Sequence, residues 1–281
     1  MLSGSSQQPT SHPEWQGRPF YGYDSPAVQE HYIGRNASPV AEFFMPHLQS
    51  GMCILDCGCG PGTITFGLAE AVAPGQAVGI DIESSMVEQA TTFAKDRQVP
   101  NVRFEVADIT DLPYPDNTFD RAFCCAVLEH LPDPVKALKE TYRVLKPGGI
   151  AAYIMTDWGD PLISPKSEEV TRFFELFEGG FNHRGGSLNR GRHLRSMMLE
   201  AGFDVIEFFA AYGNATTPAL VQAEIDGYIA WMENLSLFDQ AVESGRVDRA
   251  ALDKIKQGMK EWSELPHAFI AKGRCVALGQ K

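Results

Sequence analysis

A glycine-rich turn between an apolar strand and a helix constrains the fold of this chain more than any other feature of its sequence. Residues 53–55 form a short apolar run that leads into Asp56. Glycines then occupy alternate positions, at Gly58, Gly60 and Gly62. Glycine allows the backbone to turn sharply and to lie against a ligand with no Cβ between them. The pattern therefore predicts the first strand, loop and helix of an α/β fold, with a ligand at the loop.

From residue 52 onward, short apolar runs alternate with helical patterns, which is typical of a parallel sheet with helical crossovers. Strands are predicted at Met52–Cys57, Ala77–Asp81, Val102–Val106, Phe119–Cys125, Gly149–Thr156, Phe203–Ala210 and His267–Leu278. Helices are predicted at about Ser25–His47, Thr63–Val72, Ser84–Arg97 and Pro134–Leu145. We therefore expect a doubly wound α/β fold with a mostly parallel sheet.

The chain divides into three parts by composition and pattern. Residues 1–17 are rich in Ser, Gln and Pro, and we expect a disordered tail there. A helical cap is predicted over 18–50, and the α/β domain over 51–281. Insertions at about 157–188 and 214–264 follow strand ends in the later half of the sheet, where such folds place ligands. Two interpretations of them remain open: a lid over a substrate pocket, or helices that cover the core or form a dimer face.

The net charge of −12, from 36 acidic residues against 24 Lys and Arg, makes nucleic acid and anionic membranes poor partners. No apolar run of the sequence approaches the roughly 20 residues that span a bilayer. The N-terminal residues have neither the basic start nor the apolar stretch of a secretory signal, so we expect a cytoplasmic protein. The six cysteines are then expected as reduced thiols, and no set of His, Cys and carboxylate residues has the spacing of a metal site.

Acidic residues at consecutive strand ends indicate what the loop binds. The Gly-x-Gly-x-Gly spacing differs from the Gly-x-Gly-x-x-Gly of dinucleotide sites, and Asp56 suits a cation but would repel a pyrophosphate. Asp81, at the end of the second strand, can accept hydrogen bonds from both hydroxyls of a ribose. Ile82 and Met86 could then lie on either side of an adenine, and Asp108 could accept from its amino group. An NAD-linked oxidoreductase is therefore disfavoured.

Five stretches of the chain resemble the class I S-adenosylmethionine-dependent methyltransferases, most closely the branch that includes enzymes of ubiquinone and menaquinone biosynthesis. They are ILDCGCGPG (54–62), VGIDIE (78–83), ADITDLPYPDNTFD (107–120), VLEHLPDP (127–134) and RVLKPGG (143–149). The resemblance implies a Rossmann-like sheet of seven strands with S-adenosylmethionine as cofactor. In that family the residues at the Gly58, Gly60, Asp81, Ile82 and Asp108 positions contact the cofactor, and the backbone around Cys125 holds its amino group.

The complete set of expected cofactor contacts combines this resemblance with the reasoning above. It consists of Asp56, Gly58, Gly60, Asp81, Ile82, Met86, Asp108, Ile109 and Cys125, with Tyr21 and Arg35 added from a looser match in the N-terminal segment. In the same branch of the family, a Tyr and an Arg of that segment can close over the cofactor.

The reaction implied by the resemblance is methyl transfer to a small molecule, with an O, N or C acceptor left open. The protein must align the acceptor with the methyl group and exclude water, and no metal is expected to take part. His130, His183 and Tyr21 are the candidates for a general base. An alternative stays open, in which the protein binds S-adenosylmethionine without transferring methyl and has another catalytic or a regulatory role.

A basic segment over residues 182–199 gives a hypothesis about the acceptor. It holds four arginines and two histidines and no acid, in a protein of net charge −12. Arg184, on a glycine-flanked loop, is expected to bind a carboxylate or similar anion of the acceptor, with Phe177 and its neighbours Phe173 and Phe181 against the apolar part. The alternative is that these arginines pair with glutamates of the preceding helix.

Overall fold

The computed structural model describes residues 37–183 and 185–281, and in this part of the chain seven strands form one sheet. The strands are β1 (Cys53–Cys57), β2 (Gln76–Asp81), β3 (Val102–Val106), β4 (Phe119–Cys125), β5 (Leu145–Ser164), β6 (Asp204–Ala215) and β7 (Phe269–Gln280). Their order is β3-β2-β1-β4-β5-β7-β6. Neighbours from β3 to β5 run parallel, and β7 runs antiparallel to β5 and β6. The doubly wound, mostly parallel, Rossmann-like sheet expected from the sequence is confirmed.

Helices alternate with the strands and fill the two insertions. They are α1 (Ala37–Val40), α2 (Thr63–Val72), α3 (Ser84–Asp96), α4 (Pro134–Val144), α5 (Glu168–His183), α6 (Leu194–Glu200), α7 (Pro218–Asn234), α8 (Ser236–Glu243) and α9 (Arg249–Ser263). Asp133, Thr217 and Asp248 precede α4, α7 and α9, and their side chains accept hydrogen bonds from first-turn N–H groups. None of the described helices combines the length and the apolar character needed to cross a membrane.

The predicted helix from Ser25 to His47 is wrong in the part that the structure describes. After the single turn of α1 the chain forms turns, and a 3-10 helix follows at Met45–His47. Pro46 lies in the first turn of this 3-10 helix, where its missing N–H costs little because the first N–H groups of a helix have no partner within it. Phe44 is nevertheless buried against Phe123 of β4, with ring centroids 5.9 Å apart. The rest of that helix and the predicted N-terminal tail lie outside the described residues.

The strand order reverses at β1, and this reversal positions the site. β1 pairs with β2 on one side and with β4 on the other. In the chain, β2 and β3 come between β1 and β4. In open α/β sheets the crevice outside the carboxyl ends of such strands is where ligands bind. Asp56, Asp81 and Cys125 all lie at these ends. The six cysteines are free thiols, as expected.

The two strands that precede the predicted insertions are longer than the sequence predicts. β5 continues past Thr156 to Ser164, and β6 continues past Ala210 to Ala215. Asp157 of β5 pairs with Gly273 of β7, but the next pair is Leu162 with Ala271. Residues 158–161 therefore lie opposite Lys272 alone, and we call them the β5 bulge.

The β5 bulge contains the features that conceal this strand in the sequence. Gly159 and Pro161 indicate a turn, and proline cannot donate a hydrogen bond to a neighbouring strand. A bulge removes these residues from the regular ladder, so pairing resumes beyond them. Trp158, the first residue of the bulge, packs against Phe177 of α5 with ring centroids 5.7 Å apart.

The helices of the two insertions, α5, α7, α8 and α9, pack on one another around a hydrophobic cluster that we call the lid core. Its most buried aromatic members are Phe173, Phe177, Phe181, Tyr228, Phe238 and Trp262. Phe173 and Tyr228 stack with ring centroids 4.7 Å apart, which joins α5 to α7. The apolar stripes of the insertion helices therefore face one another.

Candidate cofactor and acceptor site

A cavity of about 240 Å³ lies beside the glycine-rich loop, at the carboxyl ends of β1, β2 and β4. We call it the loop cavity. Most of the residues predicted to bind the cofactor line it: Asp56, Gly58, Gly60, Asp81, Ile82, Asp108, Ile109 and Cys125. Its described wall carries three carboxylates and neither lysine nor arginine. A wall of this charge suits a cationic ligand and opposes a pyrophosphate.

Asp81 ends β2 with both carboxylate oxygens held by the backbone. Oδ2 accepts a hydrogen bond from the N–H of Gly60 at 2.9 Å, and Oδ1 accepts one from the N–H of Glu83 at 3.0 Å. Burial raises the pKa of Asp81, and the two hydrogen bonds oppose that rise. Each oxygen can still accept from a ligand hydroxyl, because a carboxylate has about four acceptor positions. Asp81 therefore positions the loop and also forms part of the cavity wall.

Asp56 is the next-to-last residue of β1 and is only 3% exposed to solvent. Its Oδ2 atom accepts a hydrogen bond of 2.6 Å from the hydroxyl of Thr65 in α2. Burial raises the pKa of Asp56 to about 7, while the Thr65 hydroxyl lowers it and the nearby Asp81 carboxylate adds to the rise. The free protein therefore gains or loses a proton here close to neutral pH. A positive charge in the loop cavity would favour the ionised form.

The three loop glycines have positive φ angles but different surroundings. A Cβ on Gly58 would lie 2.2 Å from a methyl carbon of Val127, and one on Gly62 would lie 2.5 Å from the ring of Phe104. At these two positions the protein itself occupies the space of a side chain. A Cβ on Gly60, where φ is +52°, would meet no atom within 4 Å. Of the three, Gly60 is the glycine whose backbone faces open space.

The residues after β3 divide between the cavity and the interior. Asp108 lines the loop cavity, and its Oδ1 atom accepts a hydrogen bond from the N–H of Thr110 at 2.7 Å, which also fixes the turn. Ile109 and Ile82 lie in the same wall. Met86 does not line this cavity, because it belongs to the buried face of α3 and is 3% exposed. The predicted contact of Met86 with an adenine stays a prediction, and the cavity wall described here does not include this residue.

A second cavity, of about 340 Å³, adjoins the first, and both are lined by Cys125 and Ala126. We call it the lid cavity, because Glu224 of α7, a helix of the second insertion, joins residues of β4, β5, β6 and β7 in its wall. Ala126 has φ of +57°, which is uncommon outside glycine, and its N–H donates to the carbonyl of Ile154 at 3.0 Å. Strained backbone of this kind clusters at functional sites.

Sequence reasoning missed the charged group of the lid cavity. Lys272 of β7 forms an ion pair with Glu224 of α7. Its Nζ atom lies 4.6 Å from the ring centroid of Trp158 and 5.3 Å from that of Tyr228. The sequence does contain a signal for it, since Lys272 interrupts the apolar run of the last strand, where a buried charge needs a partner.

The three predicted general bases have different positions. His130 lies in the wall of the loop cavity, and its ring centroid is 5.1 Å from that of Phe181. His183 is exposed at the end of α5 and lines neither the loop cavity nor the lid cavity. Tyr21 lies outside the described residues, as does Arg35, so their predicted closure over the cofactor stays a prediction.

Arg192 of the basic segment pairs with acids of β5 rather than with glutamates of α5. Arg192 donates hydrogen bonds to Asp157 at 3.0 and 2.7 Å, and another to Asp160 at 2.9 Å. The unexpected length of β5 brings these two acids beside it. Arg190 donates to a backbone carbonyl of its own loop at 2.9 Å. Arg184, the predicted anion ligand, lies outside the described residues.

Phe177, the aromatic residue predicted to contact the acceptor, lies in the lid core. It is 4% exposed and stacks on Trp231 with ring centroids 5.3 Å apart. It lines neither of the two cavities. The helical spacing of Phe173, Phe177 and Phe181 therefore indicates packing between α5 and α7. Among the described residues, Trp158 is the aromatic residue that lines the lid cavity.

Comparison with known proteins agrees with this arrangement. Residues 48–182 match the family model of a methyltransferase domain. The chain is 41% identical to probable methyltransferase ltbC of Aspergillus luteorubrus over 54% of this chain and 56% of that protein. It is 35% identical to a demethylmenaquinone methyltransferase of Lactiplantibacillus plantarum over 58% of this chain and 74% of that protein. The chain spans about half the length of the first curated relatives that it matches.

Solved structures extend the likeness to the fold. Phosphoethanolamine N-methyltransferase 2 of Haemonchus contortus superposes with a TM-score of 0.58 at 19% identity, over 93% of this chain and 56% of that chain. At that identity the likeness concerns the fold alone. The sequence relatives and the glycine-loop site carry the assignment further, and it agrees with the resemblance found in the sequence. The chain belongs to the S-adenosylmethionine-dependent methyltransferases of Rossmann-like fold.

Proposed function

We propose that this protein transfers the methyl group of S-adenosylmethionine to a small-molecule acceptor. The observation that carries the proposal is that the loop cavity and the lid cavity meet at Cys125 and Ala126. A transferase needs two molecules bound side by side with their reacting atoms in contact. The H. contortus relative was solved with S-adenosylhomocysteine, and the L. plantarum relative is named for a demethylmenaquinone substrate, which supports both halves of the proposal.

The loop cavity fits the proposed cofactor by charge and by shape. Asp81 would accept hydrogen bonds from the ribose hydroxyls, and Asp108 would accept one from the adenine amino group. Asp56 and the backbone near Cys125 would hold the ammonium of the methionyl end. The first turn of α2 follows Gly62 with no side-chain cap, so its N–H groups suit the cofactor carboxylate. Open space beside Gly60 leaves room for the ligand at the loop.

The chemistry needs alignment more than it needs a reactive side chain. When bound, S-adenosylmethionine supplies a methyl group on a positively charged sulfur, which becomes a neutral thioether as the acceptor takes the methyl. This chain would hold the acceptor in line at the Cys125–Ala126 junction and exclude water with the lid helices. An oxygen or nitrogen acceptor also loses a proton, and His130 is the histidine in the described cavity walls that could take it.

We further propose a cytoplasmic enzyme that binds neither nucleic acid nor membranes, because a net charge of −12 repels polyanions. A homodimer is a separate hypothesis. Ile206, Phe209 and Tyr212 of the edge strand β6 are 37–51% exposed, and a second copy would cover them. Light scattering coupled to size exclusion, with wild type and a Tyr212→Lys variant, tests this. A monomeric wild type would rule the dimer out.

Two measurements test the main proposal. Calorimetry should give low-micromolar or tighter binding of S-adenosylmethionine and S-adenosylhomocysteine, and no binding of NAD. Incubation with S-adenosylmethionine and a panel of quinols, phenols, amines and carboxylic acids should give a product one methyl heavier by mass spectrometry. Tight cofactor binding with no methylated product from any acceptor class would favour the alternative of a non-methylating binding protein.

A further inference from the structure

The lid cavity has a charge opposite to that of the protein as a whole. Its described wall holds Lys272 and Arg274 against a single carboxylate, Glu224. The loop cavity next to it carries three carboxylates and, among described residues, no lysine or arginine. The protein therefore presents a cation-favouring surface and an anion-favouring surface on the two sides of the Cys125–Ala126 junction.

Lys272 is held in an aromatic and partly desolvated position. The side chain is 19% exposed, and its ammonium lies over the rings of Trp158 and Tyr228. The indole and phenol faces stabilise a cation there, and Glu224 supplies a countercharge. The β5 bulge is the reason that Trp158 reaches Lys272, because its four residues lie opposite this one position of β7. The rings of Trp158 and Tyr228 hold the ammonium in place at the cavity wall, so a bound anion would share it with Glu224.

The rest of the lid cavity is mostly apolar. Val40, Ile154, Met155 and Ile270 contribute aliphatic surface, and the Trp158 ring adds a flat face. Such a wall accommodates a planar or aliphatic body, while the Lys272 end accommodates a charged group. Burial raises the pKa of Tyr228 and the nearby Glu224 carboxylate adds to the rise, while the same carboxylate pairs with Lys272.

We propose that the acceptor is an apolar-bodied, planar small molecule carrying an anionic oxygen, and that Lys272 binds this oxygen in the lid cavity. The proposal rests on the proposed function, because it names the acceptor class of the same site. Lys272 is a specificity-determining residue in this account. The role predicted for Arg184, which lies outside the described residues, stays a prediction, whereas Lys272 is on the wall of a cavity that meets the loop cavity.

The test uses a chromogenic probe and its uncharged counterpart. Ionised 4-nitrophenol and nitrobenzene are titrated separately into the full-length protein, with and without saturating S-adenosylhomocysteine. Wild type should bind nitrophenolate at least about tenfold more tightly than nitrobenzene and should lower the pKa of the bound phenol. Lys272→Met should remove this preference and leave nitrobenzene binding unchanged. Glu224→Gln, which removes the competing carboxylate, should strengthen nitrophenolate binding.

Two controls keep the result interpretable. The double variant Lys272→Met/Glu224→Gln removes both charges, so that no carboxylate is left without its partner, and it should also lose the preference for nitrophenolate. Lys254→Met, on the exposed side of α9, should behave as wild type. Equal nitrophenolate affinity in wild type and in both Lys272 variants would overturn the inference, as would a wild type that binds neither probe. Absence of S-adenosylhomocysteine binding would instead count against the proposed function.

Discussion

The Oδ2 atom of Asp81 accepts a hydrogen bond from the backbone N–H of Gly60 at 2.9 Å, which joins the end of β2 to the glycine-rich loop. Asp81→Ala removes this bond and the carboxylate that we propose as acceptor for both ribose hydroxyls. We expect cofactor affinity to fall by about 2–3 kcal/mol, roughly 30- to 150-fold. Calorimetry with S-adenosylhomocysteine measures it, with Asp96→Ala on the exposed end of α3 as control. Unchanged affinity in Asp81→Ala would remove this residue from the cofactor site.

The pKa of Asp56 predicts a pH dependence of cofactor binding. Because the carboxyl titrates at about 7 in the free protein, a cationic ligand should bind with release of a proton below that pH. Affinity for S-adenosylmethionine should therefore rise by up to about tenfold per pH unit from about pH 5.5 to 7, and then level off. Titrations in buffers of different ionisation enthalpy detect the proton. Asp56→Asn should bind more weakly and show a flat profile.

The same residue predicts how the stability of the free protein varies with pH. The pKa of Asp56 is raised from 3.8 to about 7 on folding, so its stabilising contribution is complete below about pH 4 and is lost as pH rises through 7. At 1.36 kcal/mol per pKa unit the loss is about 4 kcal/mol. Asp56→Asn should then raise the unfolding free energy at pH 8 relative to wild type. Urea unfolding of both proteins between pH 5 and 8 measures this. A constant difference in unfolding free energy between wild type and Asp56→Asn over that range would contradict the prediction.

Gly60 and Gly62 should respond differently to alanine. Gly60→Ala places a methyl group in the open loop cavity at a φ of +52°, so cofactor affinity should fall at least about tenfold, with about 1 kcal/mol lost in stability. Gly62→Ala drives a methyl group to 2.5 Å from the Phe104 ring and should lower stability more. Thermal unfolding and calorimetry separate the two effects. Equal behaviour of the two variants in both assays would refute the assignment of Gly60 to the ligand.

Arg192 should be a stabilising residue rather than an acceptor ligand. Burial tends to raise the pKa of Asp157, but hydrogen bonds from Arg192 lower it overall. Arg192→Ala leaves that buried carboxylate short of partners and should cost about 1–3 kcal/mol at pH 7. The contribution is present above the ordinary pKa of an aspartate and is lost as pH falls through the lowered pKa of Asp157, so the difference from wild type should shrink in acid. Arg195→Ala, exposed on α6, is the control, and cofactor affinity should stay unchanged in both variants.

Phe177 should matter for folding of the lid core and not for the cofactor. Phe177→Ala opens a cavity beside Trp231 and should cost about 3–5 kcal/mol. Phe177→Leu keeps most of the volume and should cost about 1 kcal/mol, so that a folded variant remains for binding assays. Leu199→Ala, at a position that is 46% exposed, should change little. A Phe177→Leu protein of normal stability but altered cofactor affinity would contradict the placement in the lid core.

The sequence predicts the cofactor half of this molecule well, because the determinants there are local. A strand, a glycine turn and a helix follow one another within residues 53–72, and each acid that lines the loop cavity lies within two residues of the end of a strand. Because the carboxyl ends of parallel strands lie at the same edge of a sheet, the fold class alone predicts that these residues lie close together. Met86 is the exception, since the position of a side chain around a helix axis decides between cavity and core. The predicted start of that helix, Ser84, is correct, but the sequence does not give the rotation of the helix about its own axis against the sheet.

The acceptor half could not be predicted in the same way, because its determinants are far apart in the chain. Lys272, Glu224 and Trp158 belong to three elements that the antiparallel strand β7 brings together. Phe177 is predicted from the sequence to contact the acceptor but lies in the lid core. The helical spacing of the phenylalanines correctly indicates that they are buried, but it does not indicate whether they bury against other helices or line a cavity. Trp158, which belongs to a segment predicted as an insertion, lines the lid cavity.

The β5 bulge also determines where this sheet can change length. Pairing with β7 is regular up to Asp157 and resumes at Leu162. A residue inserted or deleted within the bulge would leave the register on both sides intact, whereas one elsewhere in β5 would turn every following side chain to the other face. Trp158 and its surroundings can therefore diverge among descendants of this gene by small insertions, with the strands beneath the cofactor left as they are.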